Sequence, residues 1–160
     1  NIRLQEEDYV IRSQRAILRE KGYMFKSDPP NYYNSNMLTN NTIYPLLEDI
    51  ISINMSDFKE SNAINNKKNT SLYKFGKKEI SFIIKKISEN EFYIWPSVCP
   101  HEGASLEDAS FCDTSVKCPW HGLSFNAVKL SLKNKSISKY GFIYKLDKDC
   151  IKISNDNSKN

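Results

Sequence analysis

Long apolar runs are missing from this sequence: the longest, such as Ile80 to Ile84, fall far below the roughly 18 residues that span a bilayer. No membrane-spanning segment is expected, and no charged-then-apolar leader opens the chain, so a cytoplasmic location is expected. Dense basic blocks are missing too. With a formal net charge of only +4 and its lysines scattered, the chain offers no ground for a nucleic-acid partner. No fixed-period repeat and no low-complexity tract occurs, which removes solenoids and propellers from consideration. Histidine is the scarcest of the chemically versatile residues, with two in 160 positions.

What is present reads as one globular domain with additional sequence. The hydrophobic fraction of 39%, with 12% aromatic and 26% charged residues, is ordinary for such a chain. Abundant Asn and Lys predict sizeable loops.

From Gln5 to Glu20 the apolar residues Val10, Ile11, Ile17 and Leu18 recur on about one helical face, and Gly22 stands where a C-cap would fall. A helix is predicted there. Ser27 to Asn41, with Pro29-Pro30 and several asparagines, predicts a loop, and Tyr44 to Ile53 a second short helix. Ser56 to Asn69 is polar and too poor in apolar residues to bury anything, which suits a boundary. From Ser71 the pattern changes to short β-type runs: Leu72–Phe75, Ile80–Ile87, Glu91–Trp95, Leu123–Leu132, Tyr140–Leu146 and Cys150–Ile153. Asp147-Lys148-Asp149 is the expected hairpin turn between the last two. The expected division is an N-terminal helical or irregular segment at 1–55, a linker at 56–70, the main domain at 71–155 and a tail at 156–160.

Two short motifs dominate the second half: Cys99-Pro100-His101 and Cys118-Pro119-Trp120-His121, separated by residues 102–117. A thiolate and an imidazole two or three positions apart can converge on one metal-sized object, and two such loops supply four ligands. Structural zinc is the competing use of two Cys and two His. Zinc fingers, however, usually pair Cys with Cys and His with His, whereas each loop here mixes the two.

The stretches Cys99-Pro100-His101-Glu102-Gly103-Ala104 and Cys118-Pro119-Trp120-His121-Gly122 resemble the paired cluster loops of Rieske iron–sulfur proteins. The resemblance covers roughly residues 70 to 155. It implies a mainly β fold, an antiparallel β-sandwich with a two-loop tip holding one [2Fe-2S] cluster, here preceded by the N-terminal segment. It also implies that Cys99 and Cys118 hold an inner iron while His101 and His121 hold an outer iron near solvent, where electrons enter and leave.

Departures from the family pattern carry expectations of their own. Respiratory members add a disulfide-bonded Cys to each loop, but Ala104 and Trp120 stand at those places. The same members place a Ser and a Tyr near the second loop to donate hydrogen bonds toward the cluster, and Leu123 and Phe125 stand there instead. Without those donors the reduced state is less favoured, so the potential should lie near the low end of a range of about −150 to +300 mV. Glu102 beside a ligand imidazole acts in the same direction, Ser124 could oppose it by turning its hydroxyl inward, and Trp120 could screen the cluster. The segment after Phe125 lacks the Gly and Pro of a covering third loop, which predicts lability of the cluster to oxygen. Cys112 and Cys150 are expected as free thiols.

Both histidines are used by the cluster, so none remains for the mononuclear iron of a Rieske oxygenase. The expected function is one-electron transfer as a ferredoxin-like component serving an oxygenase or other oxidoreductase. Its partners would be redox proteins, a reductase and a terminal oxygenase. The alternatives are the Rieske domain of a larger ring-hydroxylating-type oxygenase and a zinc-stabilised, non-redox binding module.

Overall fold

The computed structural model describes residues 2–25, 42–64, 72–76, 80–89, 91–101, 103–112, 114–119, 124–132 and 140–156. The loop expected over Ser27 to Asn41 lies outside them, as do residues 65–71.

Helix α1 (Ile2–Glu20) forms where the apolar spacing predicts it. Its end is a Schellman motif: Gly22 takes φ +99, Gly22 N–H donates to the Arg19 carbonyl at 3.0 Å and Tyr23 N–H to that of Leu18 at 3.1 Å. Strand β1 (Met24–Phe25) then pairs antiparallel with β2 (Thr42–Ile43). Beyond it come β3 (Ile51–Asn54), the meander β4 (Leu72–Gly76), β5 (Ser81–Lys86) and β6 (Phe92–Pro96), and a smaller meander of β7 (Ser110–Cys112), β8 (Ser115–Lys117) and β9 (Ser124–Asn126). A single helical turn, α2 (Ala127–Leu130), precedes the terminal hairpin of β10 (Phe142–Asp147) and β11 (Cys150–Asn155). All the ladders are antiparallel, and the fold is mostly β.

Three expectations are corrected. Tyr44 to Ile53 is not helical: Ile51 and Ile53 point inward and Ser52 and Asn54 outward, and the segment pairs with β11 in the register Ile53↔Ile151. Burial of two alternating β-branched residues against a waiting strand outweighs the helix-like spacing of Leu46, Leu47 and Ile50, two of which are left 75% and 58% exposed. Of the run expected as strand from Leu123 to Leu132, the strand covers Ser124–Asn126, and the Asn126 side-chain oxygen accepts from Val128 N–H at 2.9 Å and caps α2. In the polar stretch after Ser56, Phe58 packs edge-on to Tyr73 and Phe75 and stacks on Phe92 at 5.6 Å.

The sheets close over one core through aromatic contacts. Phe82 of β5 meets Phe142 of β10 at 5.3 Å, and Trp95 of β6 stacks on Phe111 of β7 at 5.8 Å. The turn after α2 is laced to β6, with Leu132 N–H donating to the Ile94 carbonyl at 2.6 Å and Ile94 N–H to Ser131 Oγ at 2.9 Å. The meander that bears the second cysteine motif is thereby held against the strand that leads into the first.

Candidate metal centre

The first motif sits on a narrow hairpin beyond β6. Leu106 N–H donates to the Ser97 carbonyl at 2.7 Å, Val98 and Ser105 form a bridge, and Cys99 N–H donates to the Ala104 carbonyl at 2.7 Å. Gly103, at φ +89, closes the turn by donating to the Cys99 carbonyl at 3.0 Å. Pro100 lacks an N–H and stiffens the path between the two ligand candidates. Cys99 is consequently buried beneath the turn, while His101 stands at its apex, half-buried. Ser105 caps the following turn, Leu106–Asp108, and Lys74 of β4 pairs with Glu107 at 3.0 Å, fixing the far side of the hairpin.

The N-terminal segment reaches this hairpin directly. Thr42 Oγ1 donates to the Cys99 carbonyl at 3.1 Å, Thr42 N–H to that of Pro100 at 3.0 Å, and Tyr44 Oη to that of Val98 at 2.5 Å. Phe25 lies against Gly103 so closely that a Cβ there would come within 2.6 Å of its ring. The guanidinium groups of Arg15 and Arg19 face the same ring at 4.9 and 5.3 Å. These supporting residues were missed in the sequence. The signal was the alternation Thr42-Ile43-Tyr44 between Asn41 and Pro45, a strand pattern obscured by the helical reading that began at Tyr44.

The second motif follows β8. Cys118, the first residue after that strand, is buried, and Lys117 pairs with Ser124 across the mouth of the connection. His121 lies outside the described residues, together with Glu102, Trp120, Gly122 and Leu123. Both Cys99 and Cys118 belong to the same buried hydrophobic cluster. Of the tuning positions, Ser124 is exposed and Phe125 partly buried against the core. Of the remaining cysteines, Cys112 is exposed and Cys150 partly buried, both as free thiols.

Behind Cys99 lies a buried phenol cluster. Tyr44 meets Tyr23 at 5.6 Å and Tyr140 at 5.7 Å, all edge to face. Burial raises the phenol pKa of Tyr44 far above its ordinary value, with smaller contributions from Tyr140 and Cys99. Tyr140 is raised mainly by burial and then by Cys99, and its hydroxyl donates to the Leu130 carbonyl at 2.6 Å. The wall behind the first ligand candidate is thus neutral, apolar in bulk and internally hydrogen-bonded.

The donor set suits a [2Fe-2S] cluster with mixed ligation. Cys99 and Cys118 are buried, as ligands of an inward, thiolate-bound iron would be, and His101 stands at a half-exposed apex, as a ligand of an outward one would. Among the described residues no three His, Cys, Asp or Glu side chains gather around a single ion, and a cluster taking two protein donors on each iron does not call for three. No helix among the described residues is long and apolar enough to cross a membrane. The chain matches no curated protein. The family model of the Rieske [2Fe-2S] domain matches residues 55–137, over half of the chain and both cysteine motifs with it. The chain therefore belongs to the Rieske [2Fe-2S] family, whose domain binds one [2Fe-2S] cluster and exchanges electrons with redox partners.

Proposed function

We propose that Cys99 and Cys118 bind the inner iron and His101 and His121 the outer iron, and that the chain serves as a low-potential, ferredoxin-like carrier between a reductase and an oxygenase or other oxidoreductase. The observation that carries this reading is the contrast between a buried Cys99 and a half-exposed His101 on one tight turn. The bound cluster would supply the reversible one-electron step. This chain's residues shield the sulfur side from water, present an imidazole edge to a partner and hold the two motifs against one core. With two histidines, both assigned to the cluster, residues 1–160 carry no mononuclear-iron site of the oxygenase kind, which suits an electron-transfer role for this part of the molecule. In the same reading, residues 71–155 form the cluster-bearing unit and residues 1–55 an N-terminal extension joined to it through 56–70.

Visible and low-temperature EPR spectra of anaerobically purified protein, before and after dithionite, test the assignment. A Rieske signal in the reduced parent, lost in Cys99→Ser and altered in His121→Cys, is the expected result. A colourless, zinc-containing protein would overturn it.

A further inference from the structure

The two ligand candidates of the first loop are joined by only two peptide units, Cys99–Pro100 and Pro100–His101, and both of their carbonyls accept hydrogen bonds from Thr42. Because Cys99 and His101 belong to different irons, the orientation of those two peptide planes sets the span between the sulfur and the imidazole. We propose that Thr42, with Tyr44 behind it on the Val98 carbonyl, is a positioning residue for the cluster, so that a segment outside the family match sets the geometry of its first loop. The inference rests on the assignment of Cys99 and His101 as ligands.

Three features concentrate this role on Thr42. It is buried, so its hydroxyl bond is shielded from competing water. Apart from the contacts of Phe25 and Lys74, the hairpin is open where Ser97, Val98, Gly103 and Ser105 line a cleft of about 700 Å³ shared with α1 and β4. From within the hairpin, Gly103 N–H donates to the same Cys99 carbonyl at 3.0 Å, so Thr42 and the turn hold that oxygen from two elements. Neither Thr42 nor Tyr44 is a ligand; each acts through the backbone of residues 98–100.

Thr42→Val keeps the shape and the backbone donor and removes the hydroxyl. One buried hydrogen bond corresponds to about a fivefold change in the balance between the held and the loosened loop. Iron release to a chelator should therefore quicken about fivefold, and the g-values of the reduced cluster and its midpoint potential should be displaced. Thr42→Ser, which restores the hydroxyl, should restore all three. If Thr42→Val does not accumulate, Tyr44→Phe removes only the bond to Val98 and should shift the same readouts in the same direction. Unchanged g-values, potential and iron release in whichever variant folds would overturn the positioning role. A parent protein without a Rieske signal would overturn the ligand assignment itself, and the two failures are thus distinguishable.

Discussion

At Gly103 two constraints coincide. Its φ of +89 is disfavoured for any residue with a Cβ, and that Cβ would strike the Phe25 ring at 2.6 Å. Gly141 has the same φ of +89 but open space around the missing Cβ, so it isolates the backbone contribution. Gly141→Ala should cost about 1 kcal/mol and Gly103→Ala about 2–4 kcal/mol in chemical denaturation, and only the second should also hasten cluster loss. Equal costs at the two sites would contradict the packing of Phe25 on the cluster loop. Phe125 supports a second prediction of this kind. It is half-buried on β9 beside an exposed Ser124, so the hydroxyls expected of a high-potential site are not presented on this strand. Phe125→Tyr should raise the midpoint potential, as read by spectroelectrochemical titration; an unchanged or lower value would count against a cluster facing that ring.

The three-stranded sheet of β10, β11 and β3 shows how an element is held where a strand runs out. Past Ile51 the chain leaves the ladder, and Asn155 takes over: its Oδ1 accepts from Leu47 N–H at 2.9 Å while its Nδ2 donates to the Leu47 carbonyl at 2.8 Å. Asn155→Ala should lose about 1–3 kcal/mol, and Asn155→Asp, which keeps only the acceptor, part of that, both measured by urea denaturation. The elements differed greatly in how readable they were. The β10–β11 hairpin was legible because alternation and the turn Asp147-Lys148-Asp149 agree, with Lys148 taking φ +54 at its tip. Helix α1 was legible from its apolar face and Gly22. β3 was not, since four residues following a helix-like Leu-Leu-x-x-Ile spacing declare themselves only through their distant partner. The cluster motifs were plain because thiolate and imidazole at fixed spacing are rare by chance. The clamp at Thr42 was hidden because a hydroxyl on a remote carbonyl leaves no local pattern.

Among the described residues, four phenols have pKa values raised by burial. Tyr23 and Tyr144 are raised by burial, as are Tyr44 and Tyr140 beside Cys99. Below pH about 10 the phenols are neutral in both the folded and unfolded chain and contribute no pH dependence. Above it the unfolded chain ionises them while the folded one holds them neutral, so the unfolded state binds fewer protons and stability falls as pH rises. The urea midpoint should therefore decline above about pH 10, with tyrosinate absorbance appearing together with unfolding. Tyrosinate appearing in the still-folded protein would show that the phenol cluster is open to water.

The pairing of β3 with β11 also has a consequence in time. Leu47 and Asn155 are 108 residues apart, and Ile51 and Ile53 find their ladder only on β11. At synthesis rates of about 5–20 residues per second, β3 waits about 5–20 seconds on the ribosome for that partner to be made. During that wait its two isoleucines lack the strand they pair with. The bonds that join Thr42 to the first loop lie within residues 42–100, so the loop and its brace are both made before β11 ties the neighbouring Leu47 in place.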